Sequence, residues 1–103
     1  MLDQADVVKT VQQYANAVRQ TFQPEAVILY GSYAKGTARE DSDIDVAVVF
    51  NGFKGDWLDA SAKLWKLRRN ISDDIEPILL DHKNDESGFL SEVLRTGRVI
   101  YRA

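Results

Sequence analysis

The sequence predicts an α+β domain, a small mixed β-sheet with helices packed on it. Three observations predict this. Apolar residues recur at helical spacing near the start of the chain and again from residue 57. Short β-prone runs lie between and after these stripes. The connections also differ in kind: the first two runs are joined by a short return, whereas a helix separates the second from the third.

The elements follow in order. From Asp3 to Phe22, the residues Val7, Val8, Val11, Tyr14, Ala15, Val18 and Phe22 recur at three and four, the stripe of an amphipathic helix, and Pro24 marks its end. Ala26 to Tyr30 is a short apolar run stopped by Gly31 and reads as a buried strand. A short helical turn is expected after Ser32. Ile44 to Phe50 forms a second strand, Asn51 to Gly55 supplies turn residues, and Trp57, Ala60, Leu64, Trp65, Leu67 and Ile71 outline a second long helix. DDIEPILLD is a third strand, and Pro77, which donates no ladder hydrogen bond, places it at an edge. Phe89, Leu90, Val93 and Leu94 mark a last helix with Gly97 as its C-cap, before an extended piece at Val99, Ile100 and Tyr101.

A chain of 103 residues, 45% hydrophobic, suits a single domain over residues 1–103 with one core. No apolar run reaches the roughly 20 residues that span a bilayer, and MLDQADVVKT lacks the pattern of a signal peptide, so a cytoplasmic protein is expected. The absence of cysteine excludes disulfides and thiolate metal sites. A formal charge of -3 disfavours non-specific grip on nucleic acid.

Against this frame the acids are unusual. Glu40, Asp41, Asp43 and Asp45 place four carboxylates in six positions at the mouth of an apolar strand. Alternation sends Asp43 and Asp45 to one face and Ile44, Val46 and Val48 to the other. An antiparallel return sets the end of the first strand beside the start of the second, and a crossover helix makes the third parallel to the second. Glu76 then joins the two aspartates at the same end of the sheet. Such carboxylates repel one another unless divalent cations turn repulsion into attraction, and an oxygen-only set with few protein donors suits Mg²⁺ completed by substrate phosphates. Gly31 permits close backbone approach and Ser32 offers donors, the makings of a phosphate cradle beside a metal site. Glu40 and Asp41 read as a solvated turn that aims the strand.

Gly31-Ser32, ten residues, then Asp43-Ile44-Asp45, with Glu76 on a later strand, resembles the polymerase β-like nucleotidyltransferases. In so short a chain, GSYAKGTAREDSDID is similar to the minimal nucleotidyltransferases often encoded beside a HEPN-domain protein. The resemblance spans about residues 26 to 81 and implies the nucleotidyltransferase fold. It further implies that Asp43 and Asp45 hold Mg²⁺, two ions in all, on the triphosphate of ATP, while Gly31 and Ser32 bind its terminal phosphates. The same resemblance implies that Glu76 assists deprotonation of an acceptor hydroxyl or completes the second metal site. The family usually has Asp at that third position, and Asp74 shares the predicted face of Glu76. Lys35 and Arg39 lie between the phosphate turn and the acids, where cations can meet a triphosphate.

The resemblance implies transfer of AMP from ATP to a tyrosine of a HEPN toxin, the chain acting as antitoxin. The alternatives are an aminoglycoside-type transferase completed by a partner or a second copy, and a binding module that restrains a toxin by contact alone. Lys63, Lys66, Arg68 and Arg69 read as a solvated basic face, Trp57 and Trp65 as core, and His82 as surface.

Overall fold

The computed structural model describes residues 3–39 and 41–103. Helix α1 (Gln4–Thr21) opens on Asp3, whose carboxylate accepts the Asp6 N–H at 2.9 Å. That cap satisfies one of the otherwise unpaired amides of the first turn. The expected stripe is its buried side: Val7, Val11, Tyr14, Ala15 and Val18. Strand β1 (Ala26–Tyr30) leads through Gly31 into the single turn α2 (Ser32–Lys35), and the chain returns as β2 (Ile44–Phe50). Helix α3 (Trp57–Leu67) ends in a 3-10 turn at Arg68–Asn70, so the stripe expected to reach Ile71 tightens before it gets there. Strand β3 (Ile75–Asp81), a second 3-10 turn (His82–Asn84), helix α4 (Phe89–Thr96) and strand β4 (Arg98–Arg102) complete the chain.

The four strands lie in the order β3-β2-β1-β4. β1 is antiparallel to β2 and to β4, and β2 is parallel to β3. The sheet is mixed, as expected, and Pro77 lies on an edge strand. The extended piece at the end becomes β4, with a register shift against Val27 and Ile28 that leaves Ile100 as the extra residue.

Both faces of the sheet are covered. Val27, Leu29, Ile44, Val46, Val48, Ile75 and Leu79 pack with the buried sides of α1 and α3, and the Tyr14 hydroxyl donates to the Leu64 carbonyl at 2.7 Å to tie those helices together. The other face carries a smaller cluster of Ala26, Ile28, Ala47 and Val49 against Leu90 and Val93 of α4. At about 1.5–3 kcal/mol for each fully buried large aliphatic side chain, the larger face dominates the stability. Gly97 closes α4 with its N–H on the Val93 carbonyl, as expected of a C-cap, but its backbone is extended. Glycine is required there for space, because a Cβ would lie 2.6 Å from both Ile28 Cγ2 and the Val93 carbonyl oxygen.

Two expectations about α3 are corrected. Trp57 and Trp65 are 38% and 41% exposed. The buried side of the helix is narrow, carried by Ala60 and Leu64, so Trp57 instead packs edge-on against Phe53, and Trp65 lies beneath the Arg68 guanidinium at 4.6 Å. Arg68 is accordingly folded back onto the helix and donates to the Asp73 carbonyl, leaving the solvated basic face. Lys63 pairs with Asp59 at 3.2 Å, and the exposed His82 lies 3.4 Å from Glu25.

Candidate active site

The β1–β2 return pairs the two strands antiparallel, and its register sets Tyr30 opposite Asp45. The parallel β2–β3 pair sets Asp45 opposite Glu76. Three neighbouring strands thus deliver Tyr30, Asp45 and Glu76 side by side to one end and one face of the sheet, the face that carries α4. Asp43 lies just before β2, two residues from Asp45. Ile44 N–H donates to the Asp74 carbonyl at 2.8 Å, locking the mouths of β2 and β3 together.

Gly31 is where this end of the sheet meets the turn into α2. Its φ of 73° is in the left-handed region, and a Cβ on it would lie 2.2 Å from Asp45 Oδ2. The Asp45 carboxylate therefore occupies the place a side chain would take. This pair demands glycine twice over, for backbone conformation and for space. Ser32 begins α2, and its carbonyl accepts the Thr37 N–H at 2.9 Å, which closes the turn.

The electrostatics follow from this crowding. Burial pushes the Asp45 carboxyl above its ordinary range, and the charges of Glu76 and Asp43 push it further. Burial, then Asp45 and Glu76, push the Tyr30 phenol up to about 12. Among the described residues, no hydrogen bond reaches the side chains of Asp43, Asp45 or Glu76, and none of the three is in an ion pair. Asp43 and Glu76 are exposed and Asp45 is half-buried. An end-of-sheet cluster of this kind is short of positive charge.

The other expected site residues are placed differently. Lys35 and Arg39 are exposed and make no ion pair among the described residues. Lys35 faces α4, where its charge helps hold the Glu92 carboxyl down after the larger effect of the Arg95 hydrogen bond. Arg39 N–H donates to Ser42 Oγ at 2.7 Å and the Ser42 N–H returns to the Arg39 carbonyl, so its backbone forms the turn that feeds β2. Asp41 lies in that turn, as expected; Glu40 lies outside the described residues. In the sequence Tyr30 reads only as the end of a buried strand. Its parity on β1 and the antiparallel register are the signals that place it beside Asp45.

The donor set is all oxygen, which suits a hard cation such as Mg²⁺. Among the described residues, no three His, Cys, Asp or Glu side chains stand gathered about one point. The Gly31 notch that admits Asp45, with Glu76 and Asp43 beside it, is nevertheless a fit for such an ion, because it crowds carboxylates that no ion pair neutralises among the described residues.

Known proteins resemble this chain as a whole. The model of the family described as polymerase beta, nucleotidyltransferase, matches residues 12–103. The chain is 32% identical over 96 residues to a protein of Methanocaldococcus jannaschii named, by inferred activity, protein adenylyltransferase MJ0604, covering 90% of this chain and 96% of that one. It superposes with a TM-score of 0.70 on a crystal structure from Sulfolobus solfataricus, assigned by inference as a nucleotidyltransferase. The identity there is 25%, and the match covers 96% of this chain and 83% of the other. A chain from a complex of a tri-AMPylated Shewanella oneidensis HEPN toxin with its MNT antitoxin superposes with a TM-score of 0.65 over 94% of this chain and 73% of the other. At 19% identity, that likeness is one of fold.

Proposed function

This chain belongs to the polymerase beta family of nucleotidyltransferases, and on that premise we propose that it moves AMP from ATP onto a tyrosine hydroxyl of a HEPN-domain partner and serves as that toxin's antitoxin. The observation that carries the reading is the meeting of Asp45 with Glu76 across two parallel strands, directly over the Cβ-free notch of Gly31. The adenylyl-transfer part is supported by the name of the archaeal relative, and the choice of partner by the toxin–antitoxin complexes that share the fold.

Asp43 and Asp45 would hold Mg²⁺, and Glu76 would either complete a second metal site or take the proton of the acceptor. When bound, Mg²⁺ supplies charge neutralisation at the entering and leaving oxygens. The chain's own residues do the remainder. Gly31 and Ser32 seat the terminal phosphates on backbone and hydroxyl donors, and the notch keeps the triphosphate close to Asp45. Glu76, at the solvent side of the set, accepts the proton of the attacking hydroxyl. Lys35 and Arg39, exposed and in no ion pair among the described residues, would border the phosphates. Attack in line on the α-phosphorus expels pyrophosphate, so catalysis is positioning and charge neutralisation.

The test is incubation with ATP labelled at the α-phosphate, Mg²⁺ and a HEPN-domain protein. Label on the partner is expected, lost when the partner's acceptor tyrosine becomes phenylalanine or when Asp43 and Asp45 both become asparagine. An unlabelled partner with both proteins folded overturns the proposal.

A further inference from the structure

The outer side of α3 carries more apolar surface than its place on the molecule explains. Leu58 is 81% exposed, and Trp57 and Trp65 join it among the exposed large apolar side chains. At ~100° per residue, Trp57, Ser61, Trp65, Leu58 and Ala62 follow one another across about 140° of the helix surface, all of them apolar or small. The buried line of Ala60 and Leu64 borders this arc on one side, and Asp59, Lys63 and Lys66 form a narrow polar edge on the other. Only Ala60 and Leu64 of the helix are buried, so α3 has a second apolar side with nothing against it. Such a side on a surface helix marks an interaction surface.

The order of residues along that side is self-complementary. Its midpoint falls between the two small residues Ser61 and Ala62, and Leu58 and Trp65 lie about 5 Å from it in opposite directions along the axis. On the polar edge, Asp59 and Lys66 also lie on opposite sides of the midpoint, about 4 Å and 7 Å away. Lys66 is in no ion pair among the described residues, and Asp59 holds Lys63 through Oδ2 alone. A second α3 laid antiparallel across this midpoint sets Leu58 on Trp65 twice and Asp59 beside Lys66 twice. Ser61 and Ala62 at the crossing let the helix axes approach to about 8 Å. A parallel pairing would instead put Asp59 on Asp59 and Lys66 on Lys66, so the charges select the antiparallel one.

We propose that the α3 face made by Trp57, Leu58, Ser61, Ala62 and Trp65 docks a second copy of this chain, packed antiparallel about a two-fold axis between Ser61 and Ala62. The same patch then serves both copies, as a two-fold contact requires. α3 packs on the sheet face opposite Asp45 and Glu76, so the pairing leaves both carboxylate sets open and stands independently of the reaction assigned to them. A helix of 11 residues is about 16 Å long, which puts the contact at the low end of interface sizes and its dissociation constant at about 10–100 μM.

The test is sedimentation velocity on the full chain from about 5 to about 500 μM, a range that brackets the expected constant. The parent should pass from monomer to dimer. Both tryptophans of the chain lie on this face, so their emission should move to shorter wavelength over the same range. Leu58→Asp should keep the chain monomeric throughout, with an unchanged circular dichroism spectrum because Leu58 is outside the core. Asp59→Lys and Lys66→Glu, both at exposed positions, should each weaken association about tenfold by setting like charges together. An equimolar mixture of those two variants should restore it, since each copy then meets opposite charge on the other; this arm decides the matter if Leu58→Asp unfolds. A parent that stays monomeric overturns the proposal, as does a dimer indifferent to Leu58→Asp or a mixture no stronger than its components. A monomeric parent whose binding to a HEPN-domain protein is lost with Leu58→Asp gives the face to that partner and overturns the proposal equally.

Discussion

Two aspartates at opposite ends of one parallel strand pair make an instructive contrast. Asp45 stands at the start of β2 and Asp81 at the end of β3, and both are withdrawn from water in part or nearly whole. Burial pushes both carboxyls up. At Asp81 the backbone N–H groups of Gly52, Lys83 and Phe53, at 2.7–3.0 Å, more than reverse the effect and hold it below the ordinary range. At Asp45 the neighbours are Glu76 and Asp43, which add to the rise. The first is a carboxylate whose partners are built in and which pins the loop after β2 to β3. The second is held in place by the Gly31 notch and surrounded by its own charge, an arrangement that costs stability and makes sense as half of an ion-binding site. A buried acid is therefore read by what faces it.

The contrast can be broken in graded ways. Asp43→Asn with Asp45→Asn should lower adenylyl transfer by about 10³-fold, as expected when charge stabilisation of the reacting phosphoryl group is removed, while thermal unfolding shows no loss of stability. A fall in unfolding temperature would place Asp45 with Asp81 as a structural acid. Gly31→Ala should cost about 100-fold in transfer, because its Cβ displaces the Asp45 carboxylate, and about 1–2 kcal/mol in denaturant unfolding from the left-handed backbone alone. Asp81→Asn should do the opposite: transfer changes less than twofold, and stability falls by about 1–3 kcal/mol because an amide cannot accept all three N–H groups.

The pH dependence sharpens the same point. The folded carboxyl of Asp81 titrates below its unfolded counterpart, so its stabilising contribution is fully present above the unfolded value of about 3.9. It is lost as pH falls from there through the folded value. The stability gap between the parent and Asp81→Asn should be full at pH 6 and shrink below about pH 4 in paired denaturant melts. A gap that stays constant to low pH would mean that the three hydrogen bonds do not distinguish the ionised form.

Much of this was legible in the sequence, for identifiable reasons. The strands announced themselves because their apolar runs end at glycine or in turn residues, and the short β1–β2 return and the α3 crossover each left one favoured pairing. Alternation and the connection rules favour one sheet end for Gly31, Ser32, Asp43, Asp45 and Glu76. What escaped depended on distance across the fold. Trp57 and Trp65 fit an apolar stripe, but the width of the contact between α3 and the sheet, which decides their burial, is a tertiary quantity. The grip of Gly52 and Phe53 on Asp81 joins residues 28 and 29 apart and has no local signature. The covering of the acids' own sheet face by α4 likewise appears only once Leu90 and Val93 are seen against Ile28 and Ala47.

The most direct test of the claim that Asp45 and its neighbours form a metal–nucleotide site is thermal unfolding with Mg²⁺ and a non-hydrolysable ATP analogue, parent against the Asp43→Asn, Asp45→Asn double variant. Ligand at about 100 times its dissociation constant should stabilise the parent by about 2.7 kcal/mol and leave the folded double variant unmoved. Equal stabilisation of both would show that the carboxylates are not what binds.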